Sequence, residues 1–271
     1  MEVKSKDMSF KTMMVFTTEM INLLRVKFPS SSIDDWQGYL VQRLSLMLQI
    51  YQTFSKVLLE DKDYITSNTI LRMMVDNLAI TKFIYVDHEG EMRLLRHYLF
   101  LLDGSLTYLK ITDSMNRNVL IIEEREKCKR EVQHIKEQIM KLSIYKKQHI
   151  YIDKLTSKGY WKFKTFSDTR NYSYQDLYKT LETAPNIEAY FKYLSQFAHG
   201  LGLSNLGTVA SIQNVPFLLG VRDMLLGLLI NYIYKLFPRC VCDDVLLESL
   251  RTKLSRNELE CFLELATNSN K

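Results

Sequence analysis

The chain has 271 residues, among them only 9 glycines and 4 prolines, which is too few breakers for the many tight turns of an all-β or βαβ fold. A 46% hydrophobic share beside 25% charged residues excludes general disorder, and the length is ample for a buried core. The net charge of +5 is concentrated: residues 117–164 hold 13 Lys/Arg and 6 Asp/Glu, against 23 and 25 in the rest of the chain.

The first helical pattern covers residues 7–27 and is broken at Phe28-Pro29 and the serines after it. Ser32, with Asp35 three residues on, caps a second helix over 33–60. A turn at 61–63 leads to a third helix over 67–85, and a loop at 87–90 leads to a fourth over 91–110. Residues 116–147 read as one long charged helix. Its apolar positions Val132, Ile135, Ile139 and Leu142 form one narrow seam, and Glu123/Lys127, Glu126/Arg130 and Glu137/Lys141 stand in the favoured acid-first i,i+4 order. Residues 160–174 alternate aromatic and basic side chains without helical period, which suits a long loop with a short hairpin edge.

Ser173 and Asp176 cap a short helix running to 182, and Pro185 opens another over 186–199. Three glycines, Gly200, Gly202 and Gly207, punctuate the loop that follows. The most apolar helix spans 216–236. It carries Arg222 and Asp223 side by side near its start, so it reads as a buried core helix and not as a membrane span. Short helices over 243–253 and 256–267 complete the chain, the last with a Ser255/Glu258 capping box.

Four cysteines, Cys128, Cys240, Cys242 and Cys261, lack both a disulfide framework and zinc-ligand spacing. The first 20 residues show no signal-peptide pattern. A cytoplasmic protein with reduced thiols, no metal and no cofactor is therefore expected. The fold expected is all-α: one helical-bundle domain over 1–271, with a long basic helix and a basic/aromatic loop inserted at 113–174. Motifs for phosphate-binding loops, dinucleotide folds, zinc proteases and nucleophile elbows are missing.

Three groups of polar residues call for an explanation. Arg72 and Asp76 lie one turn apart in a helix that is otherwise apolar on every side, either as a buried structural pair or as part of a polar pocket. Glu188, Lys192, Ser195 and His199 line one flank of the 186–199 helix. There His199 is either a proton-transfer group oriented by Ser195 or a C-terminal cap. Arg93, Arg96 and His97 read as a surface charge network. In the loop, Trp161, Lys162, Lys164 and Arg170 interleave rings and cations. Single-stranded nucleic acid binding uses that pattern, and so does a loop that pins its rings to a domain surface.

The helix with Arg72-x-x-x-Asp76 and the later Tyr193-Leu194-Ser195-x-x-x-His199 together resemble a helical bacterial family. That family carries an R-x-x-x-E helix and a Y-x-x-LS-x-x-x-H helix, and is similar to HEPN-like domains. Asp76 stands in the place of the glutamate. Many HEPN domains are metal-independent RNases that pair an arginine with a histidine across four to six intervening residues. No arginine stands at that distance from His199, but Lys192 does. The resemblance implies a protein that binds RNA or a nucleotide, as an atypical RNase in stress or phage defence or as a silent relative. Its catalytic candidates would be His199, Ser195, Arg72 and Asp76, with Lys192, Trp161, Lys162, Lys164 and Arg170 on the nucleic acid. The alternative is a non-catalytic interaction module, homodimeric or with a protein partner, that offers the seam of the long charged helix.

Overall fold

The computed structural model describes residues 9–30, 32–113, 119–168, 170–181, 183, 187–198 and 214–268. The protein is all-α, and among the described residues the only β-pairing is an isolated antiparallel bridge between Phe163 and Asn171. Two compact units are present: residues 1–31, 37–82 and 178–271 form the first, and residues 32–36 and 83–177 the second.

The first unit is built from α1 (Phe10–Lys27), α2 (Trp36–Leu59), α3 (Tyr64–Thr81), α8 (Ile187–Ala198) and α9 (Val215–Leu236), with the short α10 (Pro238–Val241), α11 (Asp244–Lys253) and α12 (Arg256–Asn268). Helix α1 starts where the Ser9 hydroxyl accepts from the Thr12 amide. Helix α3 starts at Tyr64 and not near Ser67, because the Asp63 carboxylate already caps it through the Thr66 amide. Phe16, Leu44, Tyr51, Leu71, Leu225 and Ile233 lie in its buried core. Phe16 stacks on Phe262 with ring centroids 4.1 Å apart.

Helix α9 is the one helix among the described residues that is long and apolar enough to cross a membrane, and 61% of its most apolar window is buried in protein. Its Arg222 is buried, pairs with Asp223 at 2.7 Å, donates to the Ser55 hydroxyl and lies 3.4 Å from the centroid of the Phe10 ring. A buried cation persists only with such partners. Helix α3 is less uniformly buried than its all-round apolar sequence suggests, since Met73 is exposed.

The second unit holds α4 (Gly90–Asp113), α5 (Val119–Lys141) and α6 (Ser143–Thr156), packed on one another. The short α7 (Tyr174–Lys179) leads the chain out of it. The seam of α5 is buried at Val132, Ile135, Ile139 and Leu142, and α4 is the main helix packed on α5. A strip covered in this way is not on offer to a partner helix.

The long charged helix also breaks, which its periodicity did not signal. Leu142 turns extended, and the Glu91 carboxylate accepts from the Ser143 and Ile144 amides to cap a new helix there. Of the three capped helix starts read from sequence, those at Ser173/Asp176 and Ser255/Glu258 are formed, whereas α2 begins at Trp36 and not at residue 33 behind Ser32. Predicted features at Asn116, Glu182, Pro185, His199, Gly200, Gly202 and Gly207 lie outside the described residues.

Arg96 and His97 correct the expectation of a surface network, being 2% and 0% exposed. The Arg96 guanidinium lies between the Phe83 and Phe163 rings, 4.3 and 4.1 Å from their centroids. It donates to the Trp161 carbonyl at 2.7 Å and to the Phe163 carbonyl at 3.0 Å. Burial lowers its pKa to about 10, so it stays a cation at neutral pH. His97 bridges the Ile33 carbonyl through Nε2 at 2.9 Å and the Tyr85 hydroxyl through Nδ1 at 2.8 Å. A carbonyl only accepts, so Nε2 carries a proton; in the neutral imidazole that burial favours, Nδ1 then accepts from the Tyr85 hydroxyl.

Burial holds the pKa of His97 below its ordinary value near 6.5, and that of His88 as well. The unfolded chain then binds protons that the folded chain refuses, so stability is present above pH ~6.5 and is lost as the pH falls through the depressed folded values. Urea midpoints should drop between pH 7 and 5, and drop less in His97→Gln. A variant with the wild-type pH slope would remove His97 as the source.

Candidate functional site

Tyr64, Asn68, Arg72 and Asp76 recur every four residues along α3, so they share one face. Helix α8 packs on α3, and its Tyr190 hydroxyl reaches the Asn68 carboxamide oxygen at 3.3 Å. One and two turns further on, Arg72 Nη1 meets Asp76 Oδ1 at 2.7 Å. Tyr178 completes the group: its ring lies 4.7 Å from the Arg72 guanidinium carbon, and its hydroxyl donates to Asp76. The guanidinium is thus occupied by a carboxylate and an aromatic face. Ser195 is half-buried on α8 and Lys192 is exposed there, while His199 lies outside the described residues. The arrangement therefore joins Arg72 to Asp76 and adds Tyr178, a residue that nothing in the sequence tied to them.

The second candidate is the 160–174 segment. It folds back on itself as a hairpin-like loop, with the Tyr172 amide donating to the Lys162 carbonyl at 2.8 Å and the Lys164 amide to the Arg170 carbonyl at 3.1 Å. Trp161 and Phe163 point inward. The Trp161 ring is 3% exposed, meets Phe83 and Phe100 edge-on, and donates from Nε1 to Asp103. It cannot act as an exposed platform for a base, which corrects the expectation for that residue. The burial has a plain cause: Arg96 holds the carbonyls on either side of Lys162. Gly159 turns the chain toward the loop with φ +66°, and a Cβ there would come within 2.7 Å of the Asp103 Cα.

Arg170 is exposed and grips Asp168 through both Nε and Nη2 at 2.8 Å, which lowers the Asp168 pKa to about 2. Lys162 and Lys164 keep their ammonium groups over aromatic faces, Lys162 at 4.1 Å from the Tyr174 centroid and Lys164 at 5.4 Å from that of Tyr172.

Helix α6 adds basic residues that the sequence reading did not single out. Lys147, Tyr151, Lys154 and Lys158 succeed one another at helical spacing and are all exposed, with Lys146, His149 and Ile150 beside them. The helix kinks at Gln148 (φ −131°, ψ 23°) within this stretch. The available signal was the continued run of lysines beyond residue 147.

No metal-binding group of three or more His, Cys, Asp or Glu side chains occurs among the described residues. No family model, curated protein or solved structure matches the chain.

The Arg72–Asp76–Tyr178 group makes a distinct stability forecast. Asp76→Leu leaves a largely buried cation without its carboxylate and should cost about 1–3 kcal/mol, less than for a fully buried pair because Asp76 is partly exposed. Adding Arg72→Leu should recover at least half of that loss in chemical denaturation. Losses that simply add would mean that the two side chains do not act as a pair.

Proposed function

We propose that this protein binds single-stranded RNA, as a HEPN-like domain whose contact surface is the lysine–tyrosine face of α6 and the adjoining hairpin loop. The observation that carries this reading is the charge and ring arrangement of residues 141–170. Eight Lys/Arg face two carboxylates there, Asp153 and Asp168, and Asp168 is already paired with Arg170. A surface so unbalanced concentrates phosphate near it.

The rings lie among the lysines. Tyr151 is 38% exposed between Lys147 and Lys154, and Tyr174 is exposed beneath Lys162. Stacking of bases on such rings and contact of ammonium groups with phosphates are the two terms of sequence-tolerant single-strand binding. A solvated salt-bridged helix would show more acid partners on this face. The reading is one of binding, since what this surface presents is ammonium groups for phosphates and rings for bases.

Fluorescence anisotropy with a labelled uridine-rich RNA of about 16 nucleotides tests the proposal. If the exposed Lys146, Lys147 and Lys154 of α6 and Lys158 just beyond it each neutralise a phosphate, log affinity should fall against log salt with a slope of about −3. Lys147→Glu/Lys154→Glu/Lys158→Glu should weaken binding on the order of 100-fold at low salt while circular dichroism stays unchanged. Equal affinity of variant and wild type, or the lack of salt dependence, would overturn it.

A further inference from the structure

Residues 141–170 hold seven lysines and a single arginine, Arg170, and that arginine is already gripped by a carboxylate. Its Nε and Nη2 each meet a different Asp168 oxygen at 2.8 Å. A guanidinium takes a phosphate in the same two-pronged way. We propose that Asp168 is an autoinhibitory group of this basic surface: its carboxylate occupies the place of a strand phosphate, and Arg170 is a phosphate-binding residue held out of use. The inference rests on the RNA-binding reading above and adds a regulation of that same site.

The turn fixes the carboxylate where it can compete. The Asp168 amide donates to the Thr165 hydroxyl at 3.0 Å, and the Thr165 amide donates to the Asp168 carbonyl at 3.0 Å. The Arg170 amide donates to Asp168 Oδ1 at 3.1 Å, so that oxygen accepts from both the backbone and the guanidinium of Arg170. Exposure differs between the partners: the Arg170 side chain is 81% exposed and that of Asp168 29%. A phosphate arriving from solvent therefore reaches the guanidinium without unfolding the turn. Lys164, whose amide donates to the Arg170 carbonyl across the hairpin, brings a second cation whose charge also acts on Asp168.

Exposed ion pairs are weak, so the grip is reversible. As a unit the pair is neutral and adds nothing to the attraction of phosphate. Taking away the carboxylate charge leaves a net cation, which can neutralise one further phosphate and steepen the salt slope by about 0.7 for a single strand. Acid does not lift the block. The hydrogen bonds from Arg170, with the nearby charges of Arg170 and Lys164, hold the Asp168 carboxyl at about 2, so it stays ionised across the ordinary assay range. Only a competing anion displaces it. A strand already anchored on the α6 lysines supplies that anion at high local concentration, whereas free phosphate does not.

Salt titrations by anisotropy on the full chain test this, with the uridine-rich RNA and with labelled inorganic polyphosphate, which has phosphates but no bases. Asp168→Asn keeps an oxygen for the Arg170 amide but loses the charge; Asp168→Ser is the second variant should the first alter the circular dichroism. Either should tighten RNA about threefold at low salt and steepen the slope by about 0.7. Arg170→Gln should shift affinity less than about twofold in the wild-type background, where the fork is masked, and should remove the whole gain in the Asp168→Asn background. A carboxylate acting by general repulsion would give the same gain with and without Arg170, and a purely structural turn residue would give none. Either result would overturn the proposal. The same pattern on polyphosphate without RNA binding would uphold the competition and refute the RNA reading. RNA binding that Lys147→Glu/Lys154→Glu/Lys158→Glu weakens but Asp168→Asn leaves unchanged would refute the competition alone, and failure of both probes to bind would refute both.

Discussion

Arg96 is the constraint on which the second unit depends. It is a buried cation with no carboxylate on its guanidinium among the described residues, held instead by two carbonyl oxygens and two aromatic faces. Desolvating a guanidinium costs several kcal/mol, and in this environment charge-assisted hydrogen bonds and cation–π contacts are the available compensation. Both carbonyls come from the 160–174 segment. Ordering that segment and satisfying Arg96 are therefore one event. The direction of each ring follows: Trp161 and Phe163 turn inward around the guanidinium, and Lys162 between them turns outward.

That alternation links the packing to the proposed RNA surface. A segment with its large rings inside shows solvent its lysines and the more peripheral tyrosines, 172 and 174. Helix α6 adds its own basic face next to this loop in sequence, and its start is set by Glu91. A carboxylate on α4 thus marks where α6 begins. In the first unit a different economy operates. The polar line of α3 is matched residue by residue, with Asn68 held by Tyr190 and with Arg72 and Asp76 held by each other and by Tyr178.

Much of the fold was legible because local rules set it. The 3-4-3 spacing from Val132 to Leu142 marked a docked seam, and Ser173/Asp176 and Ser255/Glu258 marked helix starts that are formed. Misreadings came where a distant group decided. Nothing near Leu142 announces a break that depends on Glu91, and the break is made by contacts 52 and 53 residues away in sequence. Arg96 and His97 looked like surface residues because charge normally is. Their partners at Trp161, Phe163 and Ile33 are 65, 67 and 64 residues distant. At the candidate site the i,i+4 pair Arg72/Asp76 could be read directly, whereas Tyr178, 102 residues from Asp76, could not. Trp161 failed as a platform for the same reason: the alternation of rings and cations was visible, but not which set faces the protein.

Amide hydrogen exchange on the full chain, comparing the wild type with Arg96→Met, tests the central claim most directly. If one guanidinium orders the hairpin loop, residues 160–174 should lose protection in the variant while α1 and α9 keep theirs. Unchanged exchange in that loop would contradict the account, and so would an equal loss of protection throughout both units.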